Sequence, residues 1–329
     1  MSGNLPESVS PLYAMALAFT LIGIALSLIA LLDMFQTLFH PAGRGTMSDW
    51  AALIVWKCFR RVANTYPRVL TYAGPVGILS IISSWALCTL VGFALLYLPH
   101  MGSQYVFDPG INPDNHRGFW EAINSSIGAL ITLSEGMGPK SAWLGLLRGL
   151  EAIIGFGLLT ASVSWLLSIY PVLEARRSVA QRASLLHDAE LRNDIDMFRD
   201  SGDKVHEWIM ALAGDLSSLR NQMAQFPISY YFYVGEPQTS LSGTLPYLNE
   251  LADRAVASGM PATRLAGTAL GGAVEDFLKL LAEAFLHIPE KDKRAILTAY
   301  AREQMSDMIL HEQTIPYREN RSPVANNTR

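Results

Sequence analysis

The chain has 329 residues, 50% of them apolar, with 25 Lys+Arg against 29 Asp+Glu and a net charge of −4. That balance offers no basic patch of the kind nucleic acid requires, and two cysteines provide neither a disulfide framework nor a cysteine metal site. Distribution says more than totals: residues 12–32, 69–107 and 152–173 contain no Asp, Glu, Lys or Arg, and each run reaches the roughly 20 residues that cross hydrocarbon.

The first run lies in residues 1–40. It is too long for a signal-peptide core, and residues 1–10 carry no Lys or Arg, so a membrane helix is expected there with the N-terminus outside. Asp33, Gln36 and His40 close this span; they read as residues of the inner interface, with Asp33 pairing to Arg60 or Arg61, rather than as a proton relay.

Residues 41–68 hold Arg44, Lys57, Arg60, Arg61 and Arg68 against the single acid Asp49. By the positive-inside rule this segment is cytoplasmic. Its mixture of Trp50, Leu53, Ile54, Trp56 and Phe59 with those cations suits a helix on the inner leaflet, in contact with membrane lipid, or a short connector. The second span then runs outward, residues 99–117 form an external loop rich in Pro, Gly, Asn and Asp, and the third span returns to a second basic cluster at Arg176, Arg177 and Arg182.

Residues 118–138 lie between the second and third spans and are too short and too polar at their end to cross alone. Phe119 and Trp120 suit an interface, 121–133 has helical composition, and Ser134-Glu135-Gly136-Met137-Gly138-Pro139 carries glycines of the kind that unusual backbone dihedrals need. A re-entrant segment is expected, because irregular backbone at membrane depth survives only where it is packed in protein or lines a water-filled path.

The order span, loop, short helix, glycine-bearing loop, span over 69–173 resembles the pore domain of potassium and related tetrameric cation channels. The resemblance rests on Phe119-Trp120-Glu121-Ala122 through Thr132-Leu133-Ser134-Glu135-Gly136-Met137-Gly138, similar to a pore helix and selectivity filter (pore loop 118–139). It rests also on Gly155-Phe156-Gly157-Leu158-Leu159-Thr160-Ala161, similar to a gate-region inner helix. It implies an all-α membrane protein with three transmembrane helices plus one re-entrant pore helix and filter loop per chain, followed by a helical cytoplasmic domain. It further implies a homotetramer in a plasma membrane, a bacterial inner membrane, that passes monovalent or divalent cations and needs no cofactor.

The filter would be Ser134, Glu135, Gly136, Met137 and Gly138, supported by Arg148, Glu151 and Trp120, with Gly155, Gly157 and Thr160 at the inner-helix gate. One such loop per chain requires four chains to close a ring. Glu135, Met137 and Pro139 depart from the family pattern. Glu135 either packs behind the filter, paired with Arg148, or faces the pore as a ring of carboxylates; Glu151, three residues after Arg148, pairs with it on one helix face. The competing expectation is a channel-fold scaffold or sensor that does not conduct. No nucleophile, base and orienter occur together, so no enzyme is expected.

Residues 174–315 read as a helical cytoplasmic domain and 316–329 as a disordered tail. The third span should continue as a stalk over 172–198. Helices are expected near 203–225, 245–258, 262–286 and 290–310, with a strand or docking loop over 228–234. His187 reads as a solvated helix residue.

Overall fold

In the computed structural model the described residues are 11–39, 45–109, 118–133, 136–193, 196–200, 204–234, 239–289 and 292–304. Of the expectations above, those on Ser134, Glu135, His40 and the 316–329 tail lie outside them. The chain divides into two compact units, one drawn from Met1–Tyr170 and Gln225–Tyr231, the other from Pro171–Ala224 and Phe232–Arg329.

The first unit contains α1 (Pro11–Phe39), α2 (Thr46–Ala63), α3 (Ala73–Tyr97), α4 (Phe119–Leu130) and the first part of α5 (Ala142–Asn193), with short strands β1 (Tyr105–Phe107) and β2 (Met137–Pro139). Three helical segments, Tyr13–Phe39, Pro67–His100 and Ala142–Asn193, are long and apolar enough to cross a membrane. Each overlaps one of the three runs free of acidic and basic residues.

Helices α1 and α3 cross at glycines. A Cβ on Gly23 would lie 2.6 Å from the Gly92 carbonyl oxygen and one on Gly92 would collide with the Ser27 hydroxyl oxygen, so the two backbones approach as closely as small residues permit in a membrane. Tilted stacking of Trp85 and Trp165, ring centroids 5.8 Å apart, joins α3 to α5.

The expectation for Asp33 is corrected by this unit. Asp33 is buried, and its carboxylate accepts the backbone N–H groups of Met47 (2.7 Å) and Ser48 (3.1 Å), the Ser48 hydroxyl and the Trp85 indole N–H (2.8 Å). It is therefore an N-cap supplied to α2 from α1, satisfying donors that a helix start leaves open. Arg60 and Arg61 sit in the last turn of α2, about 18 Å further along its axis at 1.5 Å per residue, out of reach of the carboxylate that holds the first turn.

The segment expected as a strand or docking loop is instead the 3-10 turn Pro227–Tyr231. Tyr230 and Tyr231 pack their rings on the buried Trp56 of α2, at 6.3 and 5.6 Å.

In the second unit α5 continues past Pro171 to Asn193, followed by α6 (Met197–Asp200), α7 (Val205–Gln225), α8 (Leu241–Ala257), α9 (Pro261–Leu281) and α10 (Lys293–Glu303). The expected helices are present, but α8 starts four residues early and α9 gives way to a π-helical turn, Ala282–Leu286, ending at left-handed His287. Gly267 of α9 lies where a Cβ would meet the Ala255 Cβ at 2.6 Å. Glu190 accepts a two-pronged bond from Arg254 (3.0 and 2.8 Å) and the Tyr247 hydroxyl (2.9 Å). His187 is not simply solvated: its ring stacks on Tyr247 with centroids 4.4 Å apart.

Candidate functional site

The segment between α3 and α5 does contain a short helix. Helix α4 turns Ala122, Ser125, Ser126, Gly128 and Ala129 inward, a face narrow enough for close packing. The Ser126 hydroxyl donates to Glu151 of α5, and the Tyr97 hydroxyl of α3 donates to the same carboxylate at 2.6 Å. Glu151 is fully buried. A buried carboxylate is tolerable only when donors meet its oxygens, and here the donors come from two other elements, so the acid ties α3, α4 and α5 together. The sequence pattern offers only Arg148, on the same helix face, as its partner.

The lower end of α4 rests on α5 at a glycine. A Cβ on Gly155 would collide with the Leu130 carbonyl oxygen. Gly157, two residues on, has nothing within 4 Å of its Cβ position. The two glycines of the gate motif therefore differ: one is required by packing and the other stands open.

Helix α4 ends three residues before the sequence pattern does, for a local reason. Thr132 takes φ 58°, Leu133 N–H donates to the Gly128 carbonyl at 2.7 Å, and Thr132 N–H donates to the Ala129 carbonyl at 3.2 Å. Those two bonds form a Schellman cap, with a β-branched residue at the left-handed position where glycine is usual.

The chain is next described at Gly136, whose φ is 69°, and enters β2. This strand pairs antiparallel with β1 from the loop after α3, with Tyr105 opposite Pro139, Val106 opposite Gly138 and Phe107 opposite Met137. The Gly136 carbonyl accepts Asp108 N–H at 2.8 Å, and the Gln104 carbonyl accepts Lys140 N–H at 2.8 Å. On the other edge, the Met137 carbonyl accepts the half-buried Arg148 guanidinium at 3.2 Å. Met137's side chain packs with Phe93, Tyr97, Tyr105, Ala122 and Leu144 in the core at this end of the unit. Two carbonyls of the expected filter thus already accept protein donors.

The other expected site residues fall as follows. Arg148 meets the loop through the Met137 backbone, while Glu135, its expected partner, lies outside the described residues. Within the single chain Trp120 is 76% exposed, beside Phe119 at 5.8 Å between ring centroids, because its position on α4 points away from the inward face. Thr160 is exposed and donates to the Phe156 carbonyl at 2.9 Å, and Ser164 and Ser168 repeat that bond one turn further each time, at 3.0 and 2.9 Å. These hydroxyls lie on one face of α5, each satisfied by its own helix. Among the described residues no group of three His, Cys, Asp or Glu is placed to hold a metal ion.

Tyr97 and Ser126 are the members of this arrangement that sequence reasoning missed. The signal available was Glu151, an acid at the head of the apolar run 152–173, which demands partners once buried; nothing local to it names Tyr97 or Ser126.

No protein-family model matches the chain, and no solved structure matches it. It is similar to Uncharacterized membrane protein YdjJ of Bacillus subtilis (strain 168), with 24% identity over 239 residues, covering 70% of this chain and 68% of that relative. With three helices long and apolar enough to cross a bilayer and a membrane protein as relative, the chain is a helical membrane protein.

Proposed function

We propose that four copies of the chain assemble around the 134–138 loop as a potassium-channel-like pore for cations, with the C-terminal part cytoplasmic. The carrying observation is the short helix α4 wedged between two apolar helices by the Tyr97–Glu151–Ser126 bonds and the Gly155 contact. An element too short to cross, held rigidly between two that can, presents the glycine-bearing loop behind it at membrane depth, where such backbone needs protein or a water path. The exposed hydroxyl face Thr160, Ser164 and Ser168 supports α5 as the pore-lining helix.

One observation favours a second reading, a channel-fold scaffold or sensor that does not conduct. Filters of the potassium type coordinate ions with free backbone carbonyls, whereas those of Gly136 and Met137 accept Asp108 N–H and the Arg148 guanidinium. The deciding experiment has two arms on the purified full chain. Mass of the detergent-extracted particle should give four chains; monomers would sink both readings as stated. Planar-bilayer recording with potassium, sodium, calcium and chloride gradients should give cation-directed reversal potentials, and a tetramer without unitary currents would move the conclusion to the scaffold.

A further inference from the structure

The side of α2 turned away from the protein has a composition of its own. Its buried residues are Ser48, Ala52, Trp56 and Ala63. On the opposite side Trp50 is 63% and Ile54 54% exposed, followed toward the C-terminal end by exposed Lys57 and Arg61 and, just beyond the helix, exposed Tyr66, Arg68 and Tyr72. The face is apolar at its start and basic with flanking tyrosines at its end.

Depth follows from the partners of α3. Gly23 lies against Gly92 and Asp33 against Trp85, so α1 runs antiparallel to α3; Tyr97 meets Glu151 and Trp85 meets Trp165, so α5 does as well. Residues level with the start of α3 are consequently the last apolar ones of the neighbouring spans. Helix α2 begins beside the middle of α3, where Met47 Sδ is 3.6 Å from Cys88 Sγ, and ends directly before the 3-10 turn Pro67–Tyr72 that opens α3. It therefore descends beside the lower half of α3, and its first turn, level with Trp85 and Cys88, lies about 20–24 Å deeper than Tyr72, at 1.5 Å per residue along α3. The burial and fourfold satisfaction of Asp33 fit a helix start that water does not reach.

We infer that this face of α2 is a contact for anionic phospholipid of the inner leaflet, with Trp50 and Ile54 among acyl chains and Lys57, Arg61 and Arg68 at the phosphates. Aromatic residues at the interface and cations that reach headgroups from an apolar stem are the chemistry such a surface recognises. The inference is independent of whether the loop conducts.

The test compares the full-length protein with the Lys57→Gln/Arg61→Gln/Arg68→Gln variant, delipidated in detergent and titrated with phosphatidylglycerol or phosphatidylcholine, bound lipid being counted by native mass spectrometry. Wild type should retain phosphatidylglycerol in preference, less so as salt rises. Each removed charge should weaken that binding about fivefold, bringing the triple variant to the phosphatidylcholine level, while Arg192→Gln/Arg264→Gln/Lys279→Gln, an equal loss of charge elsewhere, should leave the preference intact. Equal retention of the two lipids by wild type, or an unchanged preference in the triple variant, overturns the inference. So does a change in oligomeric mass without a change in lipid preference, which would mark the face as a contact between copies. Should the triple variant misfold, a fluorophore on exposed Cys58 in a Cys88→Ala background gives the same decision: quenching by headgroup-labelled phosphatidylglycerol beyond that by headgroup-labelled phosphatidylcholine is expected, and equal quenching overturns it.

Discussion

Tyr97 of α3 donates its hydroxyl to Glu151 of α5 at 2.6 Å, across 54 residues of sequence. Ser126 of α4 donates to the other oxygen, so one carboxylate fixes the mutual position of three helices. Removing a donor from a buried acid leaves an oxygen unmet, at about 1–3 kcal/mol. Tyr97→Phe should lower the unfolding free energy in detergent by that amount, and Glu151→Gln, which swaps an acceptor for a donor facing two donors, by at least as much. Because the three groups form one network, Tyr97→Phe and Ser126→Ala should combine non-additively. Unchanged melting in both Tyr97→Phe and Glu151→Gln would mean that the carboxylate does not hold the helices.

The two glycines of α5 should separate in the same assay. Gly155→Ala must push Leu130 aside and should cost about 1–3 kcal/mol, the usual penalty of overpacking. Gly157→Ala meets open space and should stay within about 0.5 kcal/mol. If recordings find channel openings, an effect of the double alanine variant on open fraction should be reproduced by Gly155→Ala alone; an equal share from Gly157 would point to bending rather than packing.

Thr132 gives a gain-of-stability test. Its left-handed backbone costs an L-residue about 1–2 kcal/mol, offset in part because glycine loses more freedom on folding. Thr132→Gly should raise stability by about 0.5–1 kcal/mol, the difference of those two effects, and Thr132→Val should give no gain. A destabilised glycine variant would show that the Thr132 side chain makes a contact worth more than the strain.

Asp33 tests what caps α2. Asp33→Ala should cost more than the about 0.5–2 kcal/mol of an ordinary cap, because the Trp85 and Ser48 donors stay behind in an apolar surround. Hydrogen exchange should quicken at Met47 and Ser48, while Arg61→Gln leaves those amides protected. Faster exchange in the arginine variant would restore the pairing expected from sequence.

What the sequence disclosed and what it withheld divide along contact distance. The three spans were legible because hydrocarbon length and absence of charge are properties of a single segment. The existence of α4 was legible because 121–133 has helical composition, although the helix starts two residues earlier, at Phe119; the sequence grouped Gly155 with Gly157, and only packing separates them. Asp33 was misread because charge alone was used to choose its partner, Arg60 or Arg61, whereas its donors, from Ser48 and Trp85, 15 and 52 residues away, are uncharged and carry no such signal. The end of α4 was misread because threonine rarely takes φ 58°; only the cap geometry reveals it. The β1–β2 pairing had no signal at all, since three-residue strands are too short for a period-2 pattern.

Arg148 bears most directly on conduction. Its guanidinium sits on the Met137 carbonyl, the atom that would face a cation if 136–138 coordinated one, and the Gly136 carbonyl is held by Asp108. A fixed positive charge about 4 Å from a passing cation opposes it by roughly 4 kcal/mol at an effective dielectric of 20, before screening by water and counterions. Arg148→Met keeps an apolar stem of similar length, removes that charge and frees the carbonyl, whereas Arg148→Lys keeps the charge with a single point donor. If ions cross at this loop, the methionine variant should pass cations at least tenfold faster than wild type in a vesicle flux assay, with the lysine variant close to wild type. Glu151→Gln serves as control, since it disturbs the helix positions without touching Met137, and should lower flux. Equal flux in all four proteins above empty vesicles would place the path elsewhere, and no flux in any of them would leave the β1–β2 ladder as the closed cap of a non-conducting scaffold.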